Sequence, residues 1–413
     1  MQMEHQTSDR RDQVLAYHCP TCGAALAFDP VTGKLKCGHC DSVFTTEEID
    51  SAYQAQEAER QAVQTGEEWK TYSCTDCGAE LMADQNTAVI QCPYCGNNTI
   101  ATAQFAGSIR PNSVIPFGVT KDQAMEKYKE YYKKGWKKIL LPGSFQTGSH
   151  IEEIQGVYIP FWLYQGTAKI DGDYETSNQH QEGDYEITEH YHAERSGHMN
   201  FENVPADASK RMADDLMDSI EPYDFASLKP FSMSYLPGFL AERFDVKEKE
   251  TQKRAQKRIE ETIIQKTRET LKYDSIDREK EKVEVNFGRT KYALLPAWIL
   301  TTKWNDQSFT FAMNAQSGKF TGNLPISKGK FMVFLLLMFL VPFLIGMSAA
   351  STTVGIVAGL IVAILGGLMA HSSMKPVAEA GNANRYMDAK VNLSVKKDQF
   401  VRREKKHNPQ KKD

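Results

Sequence analysis

The chain has 413 residues, a formal net charge of −4 and 25% charged residues. These values are ordinary for globular protein, exclude only the compositional extremes, and leave room for two or three domains. The information lies in local patterns.

The first sixteen residues, which include "MQMEHQTSDRRDQ", contain no apolar core of a signal peptide and are expected to be disordered. "YHCPTCGAAL" begins at Tyr17 and "YSCTDCGAEL" at Tyr72, and each has a second half. Cys19 and Cys22 are followed by Cys37 and Cys40, Cys74 and Cys77 by Cys92 and Cys95, with a constant offset of 55 residues. This internal repeat uses all eight cysteines. Two C-x-x-C pairs separated by a short β-forming stretch bring four thiolates to one tetrahedral point, so two structural Zn2+ ions are expected, one in each ribbon. The ribbons are expected over residues 17–46 and 72–102.

Glycine follows the second cysteine in "CPTCG", "CTDCG" and "CPYCG", where the chain must turn with positive φ, and Asp41 takes that place in "CGHCD". A disulfide framework fits poorly without a secretory leader, and a redox C-x-x-C would be single and sit in a βαβ unit. A ribbon of about 30 residues buries too little apolar surface to fold alone, and zinc, worth ~10–16 kcal/mol in small zinc peptides, makes up the difference. Four thiolates close the site to substrate, which points to a structural metal.

Residues 47–71 read as an acidic helical linker between the ribbons, and residues 103–327 as an α+β cytosolic domain. Thr120, with Gln123 three residues on, forms a capping-box start for an amphipathic helix. "VYIPFWLYQGTAKIDGDYE" and "ALLPAWILTTKWNDQSFTFAMNAQSGKFTG" share a Pro-x-Trp core, at Pro160/Trp162 and Pro296/Trp298, and each opens a β-hairpin or meander. Helical stretches are expected at about 209–220 and 245–273. The second is densely charged, and Ala255, Ile259, Thr262, Ile263 and Leu271 give it a narrow apolar stripe, suited to weak packing on its own domain or to a partner. In "YEITEHYHAERSGH", Glu186, Thr188, His190, His192 and Glu194 share one strand face, opposite Tyr185, Ile187 and Tyr191. Histidines at i and i+2 can ligate a metal, but a solvated face explains the same alternation.

From Phe331 to Ala370 the chain runs forty residues without a charge, more than a soluble core normally contains. Two segments, about 331–347 and 353–370, joined by "SAAST", predict a transmembrane helical hairpin over 328–372. Lys328 and Lys330 before it and Lys375 after it place both termini in the cytoplasm of a multi-pass inner-membrane protein. Pro342 is expected to bend or break the first span or to mark a re-entrant hairpin. Gly355, Gly359, Ala363 and Gly367 form a small-residue stripe that packs on the first span or joins subunits into an oligomer. Residues 373–413 read as a mobile basic tail, +5 from Lys396 onward, which binds anionic lipid or solubilises the anchor. The fold class expected is multidomain α+β: two zinc-ribbon β modules, an α+β domain rich in β-hairpins with a long charged helix, and a two-helix transmembrane hairpin.

No Gly-rich phosphate loop, G-x-S-x-G elbow, H-E-x-x-H or dinucleotide fingerprint occurs, so no catalytic residue is assigned and a non-enzyme is expected. "VIPFGVTKDQA", "GVYIPFWLY", "SIEPYDF", "YLPGFLAERFDV", "LLPAWILTTKW" and "FAMNAQSGKFTGNLPIS", between paired ribbons and a membrane hairpin, resemble a family of bacterial membrane proteins with TFIIB-type zinc ribbons, the YdjG-like group. The likeness covers Tyr17 to Ala370, with "NAQSGK" where that family's "NGQTGK" is expected. The resemblance implies a membrane-bound scaffold in envelope stress that works with flotillin-like (SPFH) and phage-shock-protein-A-like partners. The rival role is nucleic-acid binding by the ribbons. Phosphate contacts need Lys and Arg, yet residues 17–46 are net zero, 47–70 net −5 and 72–101 net −3. Charge therefore disfavours nucleic acid.

Overall fold

The computed structural model describes residues 14–15, 17–60, 69–73, 80–84, 87–91, 98–101, 110–146, 154–304, 307–349, 351–374 and 381–407. It is mixed α+β, with a small three-stranded sheet, a large sheet and two apolar C-terminal helices. Two interleaved compact units share the chain: Met1–Pro160, Ser209–Asp245 and Ala293–Glu379 form the first, Phe161–Ala208, Val246–Tyr292 and Ala380–Asp413 the second. Residues 103–327, read from sequence as one domain, are divided between them.

In the first unit the distinctive sequence strings meet in one aromatic core. Phe117 of "VIPFGVT" stacks on Phe239 of "YLPGFL" with centroids 3.7 Å apart and planes 2° apart. Tyr158 of "GVYIP" and Trp298 of "LLPAW" meet Phe117 edge-on at 5.0 and 5.4 Å. All four rings are buried, and the Trp298 indole N–H donates to the Val119 carbonyl at 2.8 Å. Each such aromatic contact adds ~0.5–1.5 kcal/mol beyond area burial. A Cβ on Gly156 would lie 2.6 Å from Phe239, so "GVYIP" needs its glycine for the rings to close.

Asn314 of "FAMNAQSGKF" is fully buried. Its amide donates to the Ile220 and Pro222 carbonyls at 3.2 and 3.1 Å, and its Oδ1 accepts from the Gln316 and Ser317 N–H groups at 2.9 and 3.0 Å. The "NAQSGK" turn, with Gly318 at φ +75°, is thereby fastened to "SIEPYDF". These strings are scaffold, holding one another in place.

Lys291–Trp304 pairs antiparallel with Gln307–Asn314, which pairs with Phe320–Gly322, as the Pro296/Trp298 pattern predicts. Helix Lys121–Lys133 opens on the expected capping box: Thr120 Oγ1 accepts from the Gln123 N–H at 3.3 Å, and Gln123 Oε1 from the Thr120 N–H at 2.9 Å.

The C-terminal helices, Lys328–Ala349 and Thr352–Met374, pack as a hairpin. The first runs unbroken through Pro342. The glycine stripe turns inward: a Cβ on Gly355 would sit 2.5 Å from the Phe343 carbonyl oxygen, and one on Gly359 2.8 Å from that of Phe339. Gly355 and Gly359 thus make the packing on the first helix that was one of the two contacts expected for the stripe. Gly355→Leu should therefore force the helices apart, at ~1–3 kcal/mol or more of overpacking. Thermal unfolding in detergent should show a clearly lowered midpoint for this variant and a smaller change for Gly366→Leu, whose Cβ would meet only the flexible Met338 side chain at 3.4 Å. Equal midpoints would sink this account of the stripe. The hairpin foot is tied to the first unit, where the Leu324 N–H donates to the Met374 carbonyl at 2.8 Å and the Ser327 N–H to that of Leu140 at 2.9 Å.

The second unit contains a four-stranded antiparallel sheet in the order Ser275–Phe287, the part of strand Gln155–Glu182 from Phe161 onward, Tyr185–Asp207, Asn392–His407. Ala168, Ile170, Tyr174, Ile187, Ala193 and Met199 are buried on one face, and helix Glu248–Arg268 packs on Tyr185–Asp207 and Ser275–Phe287. This corrects the expectation of weak packing. Ala255, Ile259, Thr262 and Ile263 are all buried, and the stripe is widened by Thr251, Arg258 and Thr267, residues that counting apolar positions passes over. Their polar atoms are satisfied: Arg258 Nη1 donates to the Pro205 carbonyl at 2.8 Å, and Thr262 and Thr267 donate to carbonyls four residues earlier.

The expected mobile tail is also corrected, because Asn392–His407 is a strand on the sheet's edge, paired along Tyr185–Asp207 from Tyr185↔His407 to His198↔Asn392. Arg195, only 1% exposed, fastens it. Its guanidinium donates to Asp398 Oδ1 at 2.7 Å, the Lys397 and Glu194 carbonyls at 3.2 and 2.9 Å, and Thr270 Oγ1 at 3.2 Å.

Candidate metal centre

The first ribbon is built as its spacing demands. Leu26–Asp29, Lys34–Cys37 and Val43–Phe44 form the small antiparallel sheet, with an isolated bridge between His18 and Ala25. Two tight turns carry the cysteine pairs. Gly23 at φ +77° and Asp41 at φ +57° occupy the left-handed region at equivalent places, as the sequence predicts for both. The Gly23 N–H donates to the Cys19 carbonyl at 2.8 Å and the Asp41 N–H to that of Cys37 at 3.1 Å.

These turns converge four sulfurs. Cys19 Sγ lies 3.6 Å from Cys40 Sγ, Cys22 Sγ 3.5 Å from Cys37 Sγ, and all four fall within 4.8 Å of one another. Sulfurs bound at ~2.3 Å to a tetrahedral ion stand ~3.8 Å apart, whereas a disulfide needs ~2.05 Å. The donor set fits a soft tetrahedral cation held entirely by protein.

The sulfurs also polarise one another. Hydrogen bonds from the Ser42 hydroxyl and N–H pull the Cys40 thiol down to about 6. The Ala24 N–H favours the Cys22 thiolate, but Cys40, desolvation, Cys37 and Cys19 outweigh it and push that thiol up to about 12. Crowded thiols cannot all ionise unaided, and a divalent cation resolves this by binding them as thiolates and releasing protons. Ser42, which reads from sequence as an ordinary loop residue, is a supporting group that only its contact at 3.2 Å from Cys40 Sγ reveals.

The ribbon is seated on the rest of its unit. The Phe28 N–H donates to the Pro237 carbonyl at 2.9 Å, and the Phe28 ring meets Tyr235 edge-on at 5.5 Å. The Tyr53 hydroxyl closes on both the N–H and the carbonyl of His18 at 2.9 and 3.1 Å, and the Ser232 hydroxyl donates to Asp50 at 2.6 Å. Tyr53 and Asp50 belong to helix Thr46–Arg60, the first part of the expected linker.

Cys74, Cys77, Cys92 and Cys95 lie outside the described residues. Part of the first ribbon's backbone pairing recurs around them at the 55-residue offset: His18↔Ala25 as Ser73↔Glu80, Leu35↔Phe44 as Ile90↔Thr99, and Lys36↔Val43 as Gln91↔Asn98. The ladder between Leu26–Asp29 and Lys34–Cys37 does not recur among the described residues, where Glu80–Asp84 pairs with Trp69–Ser73 and Thr87–Gln91 with Asn98–Ala101.

His190 and His192 lie elsewhere, on the face of the second unit's sheet that the alternation predicts. His190 stands between Asp277 and Glu404 at 3.6 and 3.7 Å, and His192 between Asp173 and Glu194 at 3.4 and 3.6 Å. Each ring lies within ion-pair distance of two carboxylates, and His190 Nε2 is buried with no hydrogen-bond partner among the described residues. Among the described residues, only the Cys19, Cys22, Cys37 and Cys40 group brings three or more ligand atoms to one point.

The chain is 34% identical over 322 residues to the uncharacterized protein YdjG of Bacillus subtilis (strain 168), an alignment that covers 77% of this chain and 92% of that protein. No family model and no solved structure matches it. At that identity and coverage, the chain belongs to the YdjG family.

Proposed function

We propose that this chain is a scaffold of the bacterial inner membrane. Its apolar hairpin crosses the bilayer with both termini in the cytoplasm, and its ribbons, of the TFIIB type and each closed around one zinc ion, dock protein partners. The observation that carries the reading is the hairpin's outer surface. Leu336, Leu344, Leu365 and Leu368 stand 54–64% exposed on helices of 22 and 23 residues, each about 33 Å long against a hydrocarbon core of about 30 Å. Side chains so exposed are stable in lipid and costly in water.

The chain's chemistry suits binding better than turnover, because a tetrathiolate site leaves the metal no open position. The acidic repeat favours protein over nucleic acid as the docked ligand. Flotillin-like (SPFH) and phage-shock-protein-A-like proteins of envelope stress are the proposed partners. The test is gentle solubilisation from the native membrane, capture of the full chain and identification of what co-purifies. Recovery of such proteins supports the scaffold, and enrichment of nucleic acid or ribosomes instead overturns it.

A further inference from the structure

Where the apolar hairpin meets the body of the first unit there is a cleft of about 970 Å³, at the top of the ~300–1,000 Å³ range of small-molecule sites. Pro142, Phe309, Ile326 and Phe331 line its apolar part, and Lys328 and His371 bring polar, cation-forming groups to it. Lys328 begins the first hairpin helix and His371 lies in the last turn of the second, so both belong to the same end of the hairpin. Lys330, close by in sequence, is used differently: its ammonium donates to the Leu141 carbonyl at 2.7 Å.

An ammonium and an imidazole beside apolar walls, at the end of a lipid-facing hairpin, complement a molecule with an anionic head and a hydrocarbon tail. Lysine is a point-charge phosphate binder, and an imidazole offers an N–H donor in either neutral tautomer. We propose that this cleft binds an anionic phospholipid, with its phosphate against Lys328 and His371 and the start of an acyl chain along Phe331 and Met332. The proposal rests on the membrane reading above and adds to it a headgroup preference. Such a site would fix the depth and rotation of the hairpin, because basic pockets at helix ends hold lipid headgroups at the membrane surface.

The experiment uses the full chain in two measurements. Flotation with phosphatidylcholine vesicles, with and without phosphatidylglycerol, reads membrane insertion, and native mass spectrometry from mild detergent reads retained lipid. The expected result is retention of phosphatidylglycerol over phosphatidylcholine, roughly ten-fold or more weaker in Lys328→Gln/His371→Gln, with flotation unchanged. Met332→Trp, which fills the apolar part and leaves both polar groups, should lower retention as well. Flotation with undiminished phosphatidylglycerol retention in the double variant overturns the lipid site alone, as does retention that Met332→Trp leaves unchanged, which marks a site for phosphate alone with no acyl-chain contact. Failure of the parent chain to float with either vesicle overturns the membrane reading itself, and the site with it.

Discussion

Cys37→Ser is expected to cost the chain one bound metal ion, zinc in the function proposed above, and the ordered state of its first ribbon. Cys37 is fully buried at the end of the central strand of the small sheet, and its sulfur is 3.5 Å from that of Cys22. With three thiolates left, the closed tetrahedral shell is broken, and much of the ~10–16 kcal/mol that zinc contributes to such small modules is lost. Some order should survive near Phe28 and Tyr53, whose contacts to the rest of the unit do not pass through the metal. Elemental analysis should fall by one equivalent per chain, from two where the second ribbon binds alike, and limited proteolysis should open within residues 17–46. A variant that kept its metal, or a ribbon still protease-resistant after chelation, would show that the sulfurs are not the ribbon's staple.

Arg195→Ala should release the C-terminal strand. The side chain is 1% exposed and makes four hydrogen bonds, two of them to Lys397 and Asp398 on the strand and one to Thr270 just beyond the long helix. Removing one partner of a buried ion pair costs ~3–5 kcal/mol; Asp398 is 38% exposed and regains water, so the lower end applies. Arg195→Lys should fail nearly as badly, because an ammonium lacks the planar fork that reaches several acceptors at once. Hydrogen exchange should rise across residues 392–407 while the aromatic core around Phe117 keeps its protection. Unchanged exchange in that strand would contradict the assignment.

Both variants touch residues whose importance was unevenly visible in the sequence. Cys37 announces itself, because metal ligation is a matter of spacing along the chain and the spacing occurs twice. "HAERSGH" gives no sign that Arg195 is among the most buried large side chains, since its acceptors arrive from Thr270 and from Lys397 and Asp398, about 200 residues away. Ser275–Phe287 and Asn392–His407 are similar cases. "SIDREKEKVEVNF" and "NLSVKKDQFVRREKKH" carry too few apolar residues to read as strands, and the second forms against a partner nearly 200 residues upstream. Lysines and arginines along such an edge also discourage further strands from adding to it.

Local chemistry was therefore decided by the sequence itself: the cysteine repeat, the Gly23 and Asp41 turns, the Thr120–Gln123 cap, the Pro-x-Trp strands and the uncharged hairpin each depend on residues within one turn, one strand or one helix. The tertiary structure alone decided the rest. It brought the scattered motifs around Phe117 into one core, laid the charged helix on a sheet, turned the glycine stripe toward its neighbouring helix and converted the basic tail into an edge strand. The reason is physical. Ligand spacing and helix length are set by covalent geometry, whereas burying an arginine or pairing a charged strand depends on distant groups that satisfy its polar atoms only once the chain has folded.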